Sequence, residues 1–223
     1  MFYAALILAV CDWLAVWRKW QPLLYVAKPA TLLALIGWLW QVGQGHIQSE
    51  SVLVWFGLAL LFSWLGDVAL LFPKSFFMAG LGAFLLAHLC YIIAFNQSLP
   101  VLQIGSLVLL AGVGILFYLI RRRIMHSLAK RSSPSYLKTA VSIYSVVLSL
   151  MLLSALLTLL RPDWPLAVAG LVSLGAGLFF CSDSLLAIDR FDSPLPNGQL
   201  FVHITYHLGQ FALIGGALLR YAR

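Results

Sequence analysis

Apolar residues fill eight long runs of this chain, and polar residues gather in the short gaps between them. The runs cover approximately 1–17, 23–41, 51–72, 76–95, 100–120, 137–160, 166–188 and 200–220. Crossing about 30 Å of hydrocarbon takes roughly 20 apolar residues at 1.5 Å each, so each run predicts one membrane span. Strand-like alternation is absent, and lipid offers no partner to stray backbone groups, so the spans are expected to be helices. The pattern predicts an all-α fold, a polytopic transmembrane bundle of about eight helices that makes residues 1–223 a single integral membrane domain. The opening run lacks a basic n-region and a small-residue cleavage site, and is read as the first span rather than a removed signal.

Composition sharpens this picture. The 223 residues are 62% hydrophobic and 9% charged, with a mean hydropathy of +0.98, which excludes a soluble domain of this length. A formal charge of +7 would ordinarily raise nucleic acid as a partner. Here the basic residues fall between spans, where membrane topology explains them, and no nucleic-acid site is expected. One set of connections carries Arg18, Lys19, Lys74, Arg121, Arg122, Arg123, Lys130, Arg131, Lys138 and Arg190, and the other only Arg161, Arg220 and Arg223. That bias places the first set in the cytoplasm and both chain ends on the far side. The longest basic connection, Arg121 to Tyr136, divides the chain into two groups of four helices. Cys11, Cys90 and Cys181 lie within spans in no disulfide or zinc-knuckle spacing, and read as packing residues. Glycines such as Gly80, Gly112, Gly175 and Gly216 predict close packing of helices 4, 5, 7 and 8.

The chemistry sits in the polar residues that interrupt the spans. Asp67, in Leu65-Gly66-Asp67-Val68-Ala69-Leu70-Leu71, and Asp183, in Cys181-Ser182-Asp183-Ser184-Leu185-Leu186-Ala187, occupy similar contexts near the ends of helices 3 and 7. An acid at the centre of a span costs roughly 2.5–3.5 kcal/mol on insertion scales, which makes each a functional-site candidate. Each is followed about 20 residues later by a related motif, His88-Leu89-Cys90-Tyr91 or His203-Ile204-Thr205-Tyr206. The offset of four helices suggests two parallel four-helix repeats with a site between them, chance similarity being the alternative. Helices 2 and 8 begin at the end where helices 3 and 7 finish. They bring Lys28 and the face-sharing pairs His203/His207 and Tyr206/Gln210 to the depth of the acids. One polar cluster in the cytoplasmic half is therefore expected, with His88 deeper.

Two carboxyls in a poorly hydrated pocket cannot both ionise freely, so one is expected to keep a proton at neutral pH. Such a pair suits cleavage of an acid-labile C–O bond through an oxocarbenium-like state, reached in a glycoside or by protonating a vinyl ether. The residues leave that choice open. They also admit a purely structural ion pair, a proton-coupled transporter using the acids as a relay, and a ceramidase-like zinc-dependent lipid hydrolase with His88, His203, His207 and an Asp on the metal. His-x-x-x-His alone lacks the glutamate that a zincin would add.

A resemblance narrows the choice. Ala27-Lys28-Pro29, Gly66-Asp67-Val68-Ala69-Leu70-Leu71, the segment from Gly82 to Tyr91, Ser182-Asp183-Ser184-Leu185-Leu186-Ala187 and Thr205-Tyr206-His207-Leu208-Gly209-Gln210 occur in an order that resembles the YhhN-type lysoplasmalogenase family across nearly the full chain. The resemblance implies hydrolysis of the vinyl-ether bond of lysoplasmalogens to a fatty aldehyde and a glycerophospho-alcohol, with no required metal or other cofactor. It implies a lysophospholipid substrate drawn from the membrane and a bacterial inner-membrane location. On this reading Asp67 and Asp183 are the catalytic acid and its partner, and Lys28 meets the phosphate as a point charge. His88, Tyr206 and Gln210 then orient the ether oxygen or water.

Overall fold

Unbroken runs of Leu, Ala, Val and Phe satisfy their own backbone groups only as helices, and proline marks where several begin. Pro22 sits in the first turn of the second helix, and Pro134 and Pro165 immediately precede the sixth and seventh, positions that need no backbone donor. The computed structural model describes residues 1–44, 50–72, 74–97 and 103–222. Its helices are α1 (Phe2–Trp17), α2 (Gln21–Gly43), α3 (Glu50–Leu71), α4 (Phe77–Phe95), α5 (Ile104–Lys130), α6 (Ser135–Leu157), α7 (Leu166–Phe191) and α8 (Gly198–Tyr221), with single 3-10 turns at Lys74–Phe76 and Thr158–Leu160. Among the described residues, seven helices are long and apolar enough to cross a membrane, and α1 is a shorter apolar helix of 16 residues. The protein is an integral multi-pass helical bundle. Large apolar side chains such as Leu107, Val108, Ile115 and Leu174 face outward, as a surface bathed in lipid requires.

Short connections make consecutive helices run in opposite directions. At one end, here called the basic end, α1, α3, α5 and α7 finish and α2, α4, α6 and α8 start. There Asp192, just past α7, accepts hydrogen bonds from Ser127 and from Arg123 (Nε to Oδ2 2.7 Å), while Arg131 donates to its carbonyl at 2.8 Å. The Ser127 hydroxyl and Arg123 hold the Asp192 carboxyl below the usual carboxylate range. At the opposite end Arg161 donates to the Phe95 carbonyl at 2.6 Å, and Trp164 packs against Phe95 and Tyr221.

Two expectations change. The connection from Arg121 to Tyr136 is mostly helix, because α5 continues to Lys130 and leaves only Arg131 to Pro134 between α5 and α6. Arg121, Arg122 and Arg123 are good helix formers, and their charge ends the apolar run without ending the helix. Nor is α5 tightly packed. Gly112 and Gly114 have nothing near the position a Cβ would take, and α5 is the least enclosed of the long helices. The first residues of the fifth expected span, 100–102, and Arg223 lie outside the described residues.

Small residues do set the α7–α8 contact. A Cβ on Gly175 would lie 2.8 Å from the Leu213 nitrogen and 2.9 Å from the Gly209 carbonyl oxygen, and one on Gly209 would lie 2.9 Å from the Gly175 carbonyl oxygen. Backbone meets backbone, so no side chain can yield to admit a larger residue. Gly175→Leu is therefore expected to separate α7 from α8, costing at least the roughly 1–3 kcal/mol of an overpacked core. Gly177→Leu, where the space is open, should change little. Thermal unfolding of the two variants in detergent compares them directly.

Candidate functional site

The end of α3 and the start of α8 run antiparallel and join like rungs. Ser63 and Asp67 are four apart on α3, and Tyr206 and Gln210 are four apart on α8, so each pair presents one face. Tyr206 donates to Asp67 Oδ2 at 2.8 Å, and Gln210 Nε2 donates to Ser63 Oγ at 3.0 Å. Tyr91 of α4 donates in turn to Gln210 Oε1. From α2, Lys28 places its ammonium 3.1 Å from Asp67 Oδ1. Pro29 removes one backbone rung just where Lys28 leaves the helix. Asp67, Ser63 and Gln210 are fully buried, and Lys28 is 8% exposed.

Asp183 belongs to a different group. Its Oδ2 accepts from the Tyr144 hydroxyl of α6 and lies 3.2 Å from His88 Nε2 of α4, and His88 Nε2 is itself 3.0 Å from the Tyr144 oxygen. Since His88 Nδ1 is buried without a partner, the tautomer carrying its proton on Nε2 satisfies the ring best. Asp183 Oδ1 makes no hydrogen bond among the described residues, and the side chain is 10% exposed.

A third group was not anticipated. Asp12 of α1 is fully buried, with His203 Nδ1 2.7 Å and His207 Nδ1 3.7 Å from its Oδ2, and Trp13 Nε1 donates to His207 Nδ1 at 3.1 Å. Asp12 carries the signal used for Asp67 and Asp183, an acid inside an apolar run. The brevity of that run, with Arg18 and Lys19 close behind, makes it look like a boundary residue.

The single polar cluster expected from the sequence is thus three groups. Helix rotation explains the division. Gly175, Phe179 and Ser182 face α8, where Ser182 Oγ donates to the Val202 carbonyl at 3.0 Å, and the next residue, Asp183, is turned about 100° away toward α4 and α6. The Phe179 ring stands 5.3 Å from Tyr206 and 4.8 Å from His88, with Phe84 beside it at 5.8 Å from Tyr206. An aromatic wall therefore lies between the two groups, and no hydrogen bond joins Asp67 to Asp183. His88, expected to be deeper and apart, is the direct partner of Asp183. Lys28, expected to meet a phosphate, is committed to Asp67. The convergence of His88, His203 and His207 that a zinc site needs does not occur, and among the described residues no three His, Cys, Asp or Glu side chains form a metal-ligand set.

Asp183 and Tyr144 line a narrow cavity between α4, α5, α6 and α7 that is partly open to the surroundings. Its walls are mainly apolar, including Leu81, Phe84, Ile120, Leu148 and Phe180, and Arg121 and Arg190 line it toward the basic end. Three serines on it, Ser145, Ser149 and Ser184, donate to backbone carbonyls of their own helices at 2.7–2.8 Å, so none is poised as a nucleophile. Neither Asp67 nor Lys28 reaches this cavity.

The model of the YhhN family matches residues 23–217, from α2 nearly to the end of α8. The chain belongs to the YhhN family. This YhhN protein is 30% identical to human lysoplasmalogenase TMEM86B over 216 residues, 95% of the chain and 84% of the human protein. It is 36% identical to the pig lysoplasmalogenase TMEM86B over 68% of the chain and 58% of that protein. A lysoplasmalogenase of Mycobacterium bovis shares 36% identity over 61% of the chain and 50% of its own length. No solved structure matches it significantly. Asp12 precedes the family match, whereas the Asp67 and Asp183 groups lie wholly within it.

Removing one partner of a buried ion pair leaves the other charge stranded. Lys28→Met is expected to lower stability by about 3–5 kcal/mol, and adding Asp67→Asn to that variant should recover part of the loss. Melting temperatures of the wild type, both single variants and the double variant in detergent test the coupling.

Proposed function

We propose that this YhhN protein is a lysoplasmalogenase, a membrane hydrolase that cleaves the vinyl-ether bond of lysoplasmenyl-ethanolamine or lysoplasmenyl-choline to a fatty aldehyde and a glycerophospho-alcohol. The names of its relatives support the substrate class. The observation that carries the mechanism is Asp183, a residue of the apolar cavity's wall whose Oδ2 is fixed by Tyr144 and His88 while Oδ1 makes no hydrogen bond among the described residues.

Vinyl ethers are cleaved by protonation at carbon. With a proton on Asp183, the carboxyl gives it to the β-carbon of the alkenyl group. The double-bond electrons form the new C–H bond, leaving an oxocarbenium ion at the ether carbon, which the carboxylate beside it steadies. Water adds to that carbon and returns a proton to Asp183. The hemiacetal then breaks its C–O bond to the glycerol oxygen, which takes the hydroxyl proton, and aldehyde and alcohol separate. The atoms balance as one water added, and Asp183 ends as it began.

Asp67 acts at one remove in this account. Its ion pair with Lys28 and its bond from Tyr206 hold the Tyr206 ring against Phe84 and Phe179, the inner wall behind His88. Asp67, Lys28, Tyr206 and Gln210 are positioning residues, and His88 holds the reacting carboxyl. The basic end faces the cytoplasm, both chain ends lie on the far side, and the membrane is the bacterial inner membrane. A one-chain lipid of the inner leaflet enters at the depth of the cavity.

Purified protein should release aldehyde from lysoplasmenyl-ethanolamine. Asp183→Asn should lower kcat by about 10²–10⁴-fold, while folded Asp67→Asn should keep much more of the wild-type kcat. Cleavage of the ester analogue but not the vinyl ether, or near-normal turnover by Asp183→Asn, would overturn the assignment.

A further inference from the structure

The cavity that holds Asp183 also has a cationic end. Of the basic residues near it, Arg123 and Arg131 are engaged by Asp192, and Lys28 is bound to Asp67. Arg121 and Arg190 line the cavity itself and have no carboxylate partner among the described residues. The Arg190 guanidinium lies 3.8 Å above the Phe77 ring, an aromatic shelf that orients its donors without using them. Arg121 leans on Phe117 at 6.0 Å.

Spacing along α7 relates this end to the reacting carboxyl. Asp183, Ala187 and Arg190 follow at intervals of four and three, and all line the cavity, so they share one face. Seven residues span about 10 Å along the axis. In a lysophospholipid the three glycerol carbons separate the sn-1 ether oxygen from phosphorus by roughly 6–7 Å when extended. With hydrogen-bond reach at each end, an ether beside Asp183 places its phosphate beside Arg190.

We propose that Arg121 and Arg190 form the phosphate subsite of this cavity, binding the phosphodiester of a one-chain lipid so that its sn-1 ether lies at Asp183. This rests on the lysoplasmalogenase reading and deepens it by assigning headgroup recognition to these arginines instead of Lys28. Guanidinium suits a phosphodiester because its fork donates two parallel charge-assisted bonds, whereas the carbon chain beyond Asp183 needs only the apolar wall. The subsite reads the phosphate common to ethanolamine and choline lipids, so both headgroups fit it.

The test compares a phospholipid with a phosphate-free substrate. Lysoplasmenyl-ethanolamine and 1-alkenylglycerol are given to wild type, Arg121→Gln, Arg190→Gln, the double variant and Arg190→Lys. The preference for the phospholipid, as a ratio of kcat/KM values, should fall about tenfold in each glutamine variant, mainly through KM, and further in the double variant. Arg190→Lys should recover part of it. An unchanged ratio in the double variant, or an equal loss on both substrates, would overturn the subsite. A second arm needs no turnover. The saturated 1-alkyl analogue of the same lipid should raise the melting temperature of wild type but much less that of the double variant. Inorganic phosphate giving the same arginine-dependent shift would refute a lipid subsite in favour of a free-phosphate site. If wild type releases no aldehyde yet the analogue still binds through the arginines, the enzymatic reading fails and the subsite stands.

Discussion

An ionisable side chain inside a membrane bundle needs a partner, and here Asp12, Asp67 and Asp183 each find one on a helix far away in sequence. Asp12 meets His203, Asp67 meets Lys28 and Tyr206, and Asp183 meets His88 and Tyr144. Lipid tails are as apolar as leucine, so burial of apolar faces does little to choose one helix neighbour over another. These polar ties supply that choice, together with the backbone contact at Gly175 and Gly209 that holds α7 against α8. Their strength comes from the same low dielectric that makes an unpaired charge costly.

The acids differ in what surrounds them. Under an offset of four helices, α2 corresponds to α6, α3 to α7 and α8 to α4. Asp67 on α3 is held by α2 and α8, and Asp183 on α7 is held by α6 and α4, the helices that this offset pairs. The residue on the equivalent helix differs. At Asp67 it is Lys28, a permanent counter-charge in a sealed site; at Asp183 it is Tyr144, a neutral donor beside an open cavity. In the proposed mechanism the carboxylate paired with lysine acts as a tie, and the one that lines the apolar cavity exchanges a proton with the substrate.

The eight helices and the two candidate acids were legible because each is a local signal: a run of apolar residues, or a charge interrupting one. The alliances among the polar residues were less so. Lys28, Tyr206 and Gln210 could be placed at the depth of Asp67, since helix direction and rise fix depth. Which side of α7 Asp183 faces depends on the α7–α8 contact, and one residue of rotation moved it from Tyr206 to His88 and Tyr144. Tyr144 gives no local warning, as a lone tyrosine in an apolar helix is unremarkable. Asp12 carries the same local signal, but its run is short and ends at Arg18 and Lys19, so the signal alone does not set it apart from a boundary residue. The glycines of α5 show the limit of composition, since Gly112 and Gly114 lie in an apolar helix as the packed Gly80 and Gly175 do, yet face open space.

The central claim is that Asp183, and not Asp67, meets the reacting bond. An experimental density map of the purified protein with the saturated 1-alkyl lysophospholipid analogue tests it most directly. The account predicts the sn-1 ether within about 3–4 Å of the Asp183 carboxyl, the alkyl chain among Phe84, Leu148 and Phe180, and Asp67 still closed over by Lys28 and Tyr206. An ether seated against Asp67 or Asp12, with the Asp183 cavity empty, would contradict it.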